Sequence, residues 1–374
     1  KDETADLMEK ELKNLPVPAR LVRNEKNLGF AGGHNQATRE ACRPERSEGP
    51  RDSREKRDSS SRQGGTQNDN LPDYIQLLNQ DMYLAPDYLE RVVSMMDAHP
   101  EAGAGQGLLL KWDFSKFLIS NFQFPINESL TDLIDTMGLK VMRNRRVVDW
   151  RTGEMFQFVI SNEVRNLTPS MGQGVRSLGH ARDDREGTIE VFGVSGALPI
   201  YRRKAIEQVM YNGQTRPTFA IGKSSVGQMF DEDFFMYKED VDLAFRLRAA
   251  GWKAYVATEA RAWHDRTAAG PWETSDRAAL QNRRTKSAFI NYHSYKNHLM
   301  VLLKNEHRAN FAKDWPWILG YEFKKFVYLL FTDWATLKGL REVKRLWKRT
   351  MAKRRIIMEN YKVKPEKIRE RFVE

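Results

Sequence analysis

Apolar residues recur at helical spacing just after the middle of the chain and predict an amphipathic helix. The periodic residues are Val241, Leu243, Ala244, Phe245, Leu247 and Ala250. This spacing places Glu239 and Asp240 in the first helical turn and Gly251 at the C-terminal cap. A short strand, Ala254–Ala257, is predicted next, with His264 just beyond it. A helix start and a strand exit can meet at one end of an α/β sheet, where such folds place their sites.

Apolar runs and helical periods alternate along the preceding part of the chain. Strands are predicted over Ala19–Val22, Tyr74–Leu78, Ala102–Leu110 and Ile189–Val194, and helices over Asp2–Leu15, from His34 or Asn35 onward, and over Tyr88–Ala98. Residues 113–155 are mixed and show no clear period. The alternation predicts an α/β fold, a sheet flanked by helices.

Three helices rich in aromatic and basic residues are predicted towards the C-terminus, over Tyr292–Leu303, Trp315–Phe331 and Leu337–Met351. The last has an apolar stripe and a face filled by lysine and arginine. This pattern is typical of a helix lying on anionic lipid, or of a helix packed on a domain with its basic face in water. We therefore separate residues 306–374, a basic amphipathic region, from residues 1–305, and expect an anionic membrane surface as a partner.

Two polar stretches, at about residues 42–71 and 159–187, lack any packing period. They contain too few apolar residues to bury a core, so we expect disordered surface loops. Both resemble translated palindromic DNA repeats inserted in frame. Surface loops are where such insertions cost the least stability.

Charge and cysteine content narrow the class of protein. Lys and Arg total 61 against 50 Asp and Glu, a net charge of +11 concentrated towards the C-terminus, which favours an anionic surface or substrate. Cys42 is the only cysteine, which excludes an internal disulfide and fits a reducing, cytoplasmic compartment. The sequence has no run of 18 apolar residues that would predict a membrane span. The C-terminal aromatic residues follow apolar stripes rather than a basic groove, so we expect no nucleic-acid partner.

Several loops carry residues suited to binding. Glycines follow the first predicted strand at Gly29, Gly32 and Gly33, where they would admit a phosphate or nucleotide or simply form a βα loop. Asn79 and Asp81 follow a buried strand, where a carboxylate can hold Mg²⁺ or Mn²⁺ or serve as a turn residue.

A third loop and the start of the helix leave similar alternatives open. Gly196 would let a ligand approach the backbone, and Arg202 and Arg203 would meet phosphate, or the three would form a packing corner. Glu239 and Asp240 would be capping acids or would carry chemistry.

Five segments taken in order resemble the family 2 glycosyltransferases, in particular the rhamnosyltransferase-like branch of bacterial polysaccharide assembly. The segments are NLGFAGGHN, LLNQD, GVSGALPIYRR, FDEDFFMYKEDVDLAFRLRAAGW and the later His264. The resemblance covers most of residues 20–305 outside the two polar stretches. It implies a GT-A fold, a Rossmann-like sheet that binds a nucleotide-diphospho-sugar and a divalent metal, Mg²⁺ or Mn²⁺. In this family a first strand that holds the nucleobase precedes the segment at Lys1, so we expect the chain to be truncated.

The resemblance also implies roles for individual residues. Asp81 and His264 would bind the metal, with Asn79 replacing the first acid of the family's DxD motif. Asp240 would be the catalytic base, with Glu239 as the second candidate. The segment beside the nucleotide would contain Asn27, Gly29, Gly32, Gly33 and Asn35.

The implied activity is inverting transfer of a sugar, rhamnose in that branch, to a hydroxyl of a cell-surface or lipid-linked glycan. The enzyme would lie on the cytoplasmic face of the plasma membrane. The alternative is a catalytically inactive sugar- or lipid-binding protein derived from the same fold.

Overall fold

A mixed sheet forms the centre of the molecule. The computed structural model describes residues 4–41, 71–119, 126–156, 187–211, 227–266 and 276–373. Its strands are β1 (Tyr74–Gln76), β2 (Met82–Leu84), β3 (Ala102–Trp112), β4 (Leu130–Thr136), β5 (Leu139–Val141), β6 (Val147–Asp149), β7 (Thr188–Val191), β8 (Ile200–Arg202) and β9 (Lys253–His264). Strands β1, β8, β3, β9 and β2 follow one another across the sheet, with β4 beside β3 and β7 beside β9. Of these pairs, β3 and β9 are parallel and the others antiparallel.

Helices flank this sheet, as the sequence predicts. They are α1 (Thr4–Leu12), α2 (Gly29–Ala41), α3 (Tyr88–Ala98), α4 (Phe114–Ile119), α5 (Arg203–Val209), α6 (Glu239–Ala249), α7 (Asp276–Thr285), α8 (Ala288–Asn305), α9 (Arg308–Thr332), α10 (Trp334–Glu359) and α11 (Pro365–Arg369), with a 3₁₀ turn at Ile126–Ser129. The predicted α/β class and the predicted α3 are confirmed.

The first predicted strand and the start of the next helix need correction. Residues 19–22 form no strand, since they are largely exposed and pair with no described strand. Helix α2 begins at Gly29, earlier than His34 or Asn35. The Asn27 side chain sets this start, because its Oδ1 accepts a hydrogen bond from the Gly29 N–H at 2.8 Å.

Strand β3 lies at the centre because, apart from Gln106, its first nine residues are apolar or very small. Positions 102–110 are all buried. A Cβ at Gly107 would lie 2.3 Å from the Ala260 carbonyl oxygen of β9, so only glycine permits this close strand pairing. Helix α3 covers the strand, and the Tyr88 hydroxyl accepts a hydrogen bond from the Gly107 N–H at 2.9 Å.

Strand β9 is much longer than the predicted Ala254–Ala257 and ends at His264. Its last residues pair with β2, so that His264 lies opposite Met82. Because Asp81 immediately precedes β2, the two predicted metal ligands are brought together at one end of the sheet.

The three predicted C-terminal helices are present as α8, α9 and α10, and they pack on the sheet domain. Leu337, Val343 and Leu346 of α10 are buried, while Lys344 and Lys348 on the same helix are exposed. Of the two predicted arrangements, α10 therefore has the second, a helix packed on a domain with its basic face in water. Among the described residues, no helix has the length and apolar character needed to cross a bilayer. Most of the two polar stretches lies outside the described residues.

Candidate active site

An open cleft of about 560 Å³ lies where the strand ends, the start of α6 and helices α7–α9 meet. Six of the predicted site residues line it: Asn79, Asp81, Gly196, Glu239, Asp240 and His264. Residues from the start, middle and end of the chain therefore converge on one space large enough for a small ligand.

His264 is held in one orientation by a buried carboxylate. Its Nδ1 lies 2.9 Å from Oδ2 of Asp135, which is fully buried on β4. Burial disfavours ionisation of Asp135, but the charge of Arg266 and the hydrogen bond from His264 outweigh it and lower the pKa of Asp135. An ionised Asp135 accepts a hydrogen bond from Nδ1–H, and this leaves Nε2, on the Asp81 side of the ring, as the nitrogen that would bind a metal.

The Asp81 and His264 pair fits a divalent metal. Nε2 of His264 lies 3.4 Å from Oδ2 of Asp81, and the buried Oδ1 of Asp81 has no hydrogen-bond partner in the structure. The described residues contain no group of three or more His, Cys, Asp or Glu side chains that would bind a metal alone. Mg²⁺ commonly has only one or two protein carboxylates and takes its other ligands from water and substrate phosphates. The donor set therefore suits a metal that arrives with a diphosphate.

The two acids at the start of α6 have different environments. Asp240 accepts hydrogen bonds from the Val241 N–H at 2.7 Å and the Gly196 N–H at 3.1 Å. Burial and the charge of Asp149 nevertheless raise the pKa of Asp240. Burial and the charge of Asp240 raise the pKa of Glu239 to about 8, and one buried Glu239 oxygen has no hydrogen-bond partner among the described residues. At neutral pH Glu239 therefore retains its proton, while the two N–H groups favour the ionised form of Asp240, the form that a base requires.

The loop before these acids has an unusual backbone. Phe235, Tyr237 and Lys238 all have φ near +70°, a region that non-glycine residues adopt at a cost of roughly 1–3 kcal/mol each. The amide of Asn297 on α8 holds the loop, since its Nδ2 lies within 3.1 Å of the carbonyl oxygens of residues 234, 236 and 237. The buried Asn297 side chain therefore helps to fix the entry to α6, together with Lys296, whose Nζ donates a hydrogen bond to the Asp233 carbonyl oxygen at 2.6 Å.

A buried ion cluster anchors the same loop from two C-terminal helices. Asp231 pairs with Lys304 of α8 at 2.5 Å and with Lys353 of α10, and Lys304 also pairs with Asp242 of α6 at 2.8 Å. We call Asp231, Asp242, Lys304 and Lys353 the Asp231 cluster. All four are buried, and the two lysines lower the pKa of Asp231 despite its burial.

Sequence reasoning missed four cleft or supporting residues. They are Asp135, Arg146, Asp149 and Arg266. Arg266 joins two of them, since its guanidinium lies 2.8 Å from Asp149 and 3.6 Å from Asp135. The available signal was Asp135 itself, an acid directly after Leu133 and Ile134 in a strand-like run, because buried acids are rare without a partner.

The predicted arginines do not line the cleft. Arg202 donates hydrogen bonds to the carbonyl oxygens of Met96, His99 and Ala102, and thereby closes the end of α3. Arg203 donates to the Pro72 carbonyl oxygen and pairs with Glu207. This is the packing-corner alternative, with neither arginine among the described residues that line the cleft.

The glycine-rich segment supports the site mainly through packing. A Cβ on Gly29 would lie 2.4 Å from the Phe235 carbonyl oxygen, so this glycine allows α2 to contact the loop before α6. The buried Asn35 exchanges two hydrogen bonds with the Phe230 backbone, which places it outside the cleft. Within the part of the chain that the structure describes, a Cβ at Gly33 would meet no atom within 4 Å, and one at Gly32 would approach only Leu28. Phe30 is the residue of α2 that lines the cleft.

The sequence matches no family model and no curated protein. Among solved structures, the chain is similar to GalNAc-T7 with UDP, GalNAc and Mn²⁺, at 10% sequence identity and a TM-score of 0.44. The similarity covers 81% of this chain and 40% of that one, so the chain spans less than half of that protein's length. A likeness at this level does not indicate a shared activity.

Proposed function

We propose that this protein is a metal-assisted glycosyltransferase of the GT-A type that uses a nucleotide-diphospho-sugar as donor. The observation that carries the proposal is the arrangement around the cleft. Asp81 faces the free Nε2 of His264, while Asp240 lines the same space. Sugar transfer to a hydroxyl needs a base for the hydroxyl proton and a metal to stabilise the leaving diphosphate, and this cleft would place the two side by side.

The donor would bind with its diphosphate towards Asp81 and His264. A divalent metal there, Mg²⁺ or Mn²⁺, would stabilise the negative charge that develops on the leaving diphosphate. Asn79 and Gly196 line the same space and would contact the sugar or phosphates. Phe30 would offer an apolar face to the nucleotide. Asn27 and Gly29 would support the nucleotide side of the cleft indirectly, because they set the start of α2 and its contact with the loop before α6.

Asp240 would act on the acceptor. Its carboxylate removes the proton from the acceptor hydroxyl while that oxygen attacks C1 of the sugar, and the bond from C1 to the diphosphate breaks. Attack from the face opposite the leaving group inverts the anomeric centre. The sequence resemblance alone supports two finer parts of this proposal. The sugar would be rhamnose, and the acceptor would be a cell-surface or lipid-linked glycan.

The test is donor turnover. The protein is incubated with Mn²⁺ and a panel of nucleotide-sugars, including a rhamnose donor, and release of nucleoside diphosphate is measured. We expect slow hydrolysis of one donor without acceptor, abolished by EDTA and by Asp81→Ala. Glu90→Gln, on the exposed face of α3, is the matched control. Metal-dependent donor binding without turnover, even with acceptors added, would instead identify an inactive sugar-binding protein.

We also propose that α9 and the start of α10 rest on an anionic membrane, the inner face of the plasma membrane. The support is an exposed aromatic surface, defined by Phe323, Phe331 and Trp334, which are 70%, 81% and 68% exposed. The exposed Lys324 and Lys338 lie on the same helices, a combination typical of interfacial binding.

Vesicle sedimentation tests the membrane proposal. We expect the protein to bind phosphatidylglycerol-containing vesicles more tightly than phosphatidylcholine vesicles, and Phe323→Ser with Phe331→Ser to weaken this binding by about tenfold. Leu89→Ser, at an exposed leucine of α3, should leave it unchanged. Equal binding by the aromatic variant and the control would exclude this surface.

A further inference from the structure

Arg266 is a cation of the cleft that the proposed reaction leaves without a role. It lines the same space as Asp81 and Asp240, and its side chain is 25% exposed. The buried Asp135 contacts both Arg266 and His264, with Oδ1 3.6 Å from Nη1 of the arginine and Oδ2 2.9 Å from Nδ1 of the histidine. The guanidinium therefore lies beside the histidine that would bind the metal.

Two carboxylates hold the Arg266 guanidinium by a single nitrogen. Nη1 donates a hydrogen bond to Oδ2 of Asp149 at 2.8 Å and is also the atom that faces Asp135. Among the described residues, neither Nε nor Nη2 of Arg266 has a hydrogen-bond partner. Because a guanidinium carries five N–H donors in a planar fork, these two nitrogens remain to donate to a ligand of the cleft.

The position of Arg266 relates the proposed metal ligands to the proposed base. Asp135 connects it to His264 on one side. On the other side it pairs with Asp149 at the end of β6, and the charge of Asp149 acts on Asp240. The charge of Asp240 also acts on Arg266 directly. In sugar transfer the bond between C1 and the phosphate oxygen would lie between the metal and the base, so this cation is close to the bond that breaks.

The way in which the guanidinium is held suits phosphate better than it suits a purely structural link. The two carboxylates restrain the guanidinium before a ligand binds, so its remaining donors need little reorganisation when negative charge develops nearby. The planar edge of an arginine can donate to two oxygens of one phosphate, whereas a structural link to Asp149 needs one nitrogen only.

We propose that Arg266 is a further catalytic residue, whose Nε and Nη2 donate hydrogen bonds to the donor phosphate that leaves C1 of the sugar. The proposal rests on the glycosyltransferase function above. As the bond from C1 to the phosphate oxygen breaks, its electron pair goes to that oxygen, while the acceptor oxygen bonds to C1 and Asp240 takes the acceptor proton. Arg266 transfers no proton and stabilises the charge that develops on the departing phosphate.

Binding of nucleotides to the full chain tests the contact with phosphate. The probes are UDP, dTDP and GDP with Mn²⁺, and the matching monophosphates, by titration calorimetry. We expect one diphosphate to bind more tightly than its monophosphate. Arg266→Gln should weaken that diphosphate by about tenfold and leave the monophosphate within about twofold, because only the terminal phosphate meets the guanidinium.

Donor hydrolysis tests the catalytic role. Arg266→Gln should lower kcat roughly 10²- to 10³-fold, the usual effect of removing a donor to developing negative charge, and should lower it more than donor affinity. Arg266→Lys should recover part of the loss, since an ammonium keeps the charge but not the planar fork. Full recovery by lysine would exclude the bidentate contact.

Two matched variants separate this role from a structural one. Asp149→Asn removes the charge of the partner but keeps the guanidinium, and should retain diphosphate affinity within about twofold. Arg91→Gln removes an arginine of α3 outside the cleft and should change neither affinity nor turnover. Equal losses of diphosphate affinity in Arg266→Gln and Asp149→Asn would mean that the pair only attaches β6 to the end of β9, and would overturn the assignment.

The unmodified protein distinguishes failure of this proposal from failure of the proposed function. If it binds a nucleoside diphosphate and hydrolyses a donor, and Arg266→Gln does both equally well, the role of Arg266 is wrong and the glycosyltransferase function stands. If the unmodified protein binds none of the three diphosphates and turns over no donor, the glycosyltransferase proposal fails and the role of Arg266 fails with it.

Discussion

Charged groups in two parts of the cleft lining differ in how they are held. At the ends of β4 and β9 and the start of α6, Asp135 holds His264 and two backbone N–H groups hold Asp240. Between α7 and α8, the Lys286 ammonium has no partner among the described residues. The histidine and the acid proposed for chemistry are therefore fixed in place before a ligand binds, whereas Lys286 is not. The variants below test this difference, from the largest expected effect to the smallest.

Removing the proposed base should abolish sugar transfer without changing the shape of the cleft. Asp240→Asn keeps the size of the side chain, and we expect transfer to fall roughly 10²- to 10⁴-fold because the acceptor proton has no base. Donor binding with Mn²⁺ should change little. Unchanged turnover in this variant, measured beside Glu90→Gln, would remove Asp240 from its assigned role.

Removing the Asn297 side chain, which holds the loop before α6, should displace Glu239 and Asp240 together. Asn297→Ala removes the buried donor of the carbonyl oxygens of residues 236 and 237, while the Phe234 carbonyl oxygen retains the Met236 N–H and Lys296. We expect a loss of about 3 kcal/mol in the free energy of unfolding. Because the loop then relaxes from its left-handed conformation, kcat should fall more than donor affinity. Urea denaturation and steady-state kinetics measure the two effects. A purely structural role would lower stability and leave kcat per folded molecule unchanged.

Removing Asp135, the partner of His264, should lower the affinity for the metal while leaving the two proposed ligands, Asp81 and His264, in place. In Asp135→Asn the histidine loses its carboxylate acceptor, and we expect Mn²⁺ affinity in the presence of UDP to fall about 10- to 100-fold. Asp132→Asn, an exposed acid on the same strand, is the matched control. Equal metal affinity in the two variants would mean that Asp135 does not tune the site.

The raised pKa of Glu239 predicts a pH dependence of stability. In the folded protein this carboxyl holds its proton up to a pKa of about 8, against 4.5 for the ordinary group. Its contribution to stability is therefore complete below pH 4.5 and is lost as the pH rises through 8. Glu239→Gln, which mimics the protonated form, should be more stable than the unmodified protein at pH 9 by about 2 kcal/mol and equal to it near pH 5. Parallel urea curves at the two pH values would contradict the raised pKa.

Local signals predicted the parts of the fold that local interactions determine. The helix at Glu239 and its cap at Gly251, the buried strand at Ala102 and the helix at Tyr88 follow from periodicity and capping residues. Gly251 has φ of +94°, the left-handed cap that its position predicted.

Contacts between distant residues could not be predicted in the same way. Asp135 and His264 are 129 positions apart, and no local pattern pairs them. Arg202 was predicted to bind phosphate because an arginine beside small residues has that chemistry. Instead, its guanidinium donates hydrogen bonds to the carbonyl oxygens of Met96 and His99 after α3 and of Ala102 at the start of β3, which only the folded chain reveals. Asn297 belongs to no recognisable motif, and its role follows from hydrogen bonds to three carbonyl oxygens that are distant in sequence.

The Asp231 cluster sets a limit on how this protein can be shortened for expression. A fragment ending at Asn305, where the sequence pattern changes, keeps Lys304 but removes Lys353, and with it an ammonium group that contacts both Asp231 and Asp233. Asp231 and Asp233, just before α6, would then lose this cation, and the core surface that α10 covers would be exposed. Recombinant forms should therefore retain the chain at least to the end of α10, even for studies directed only at the cleft.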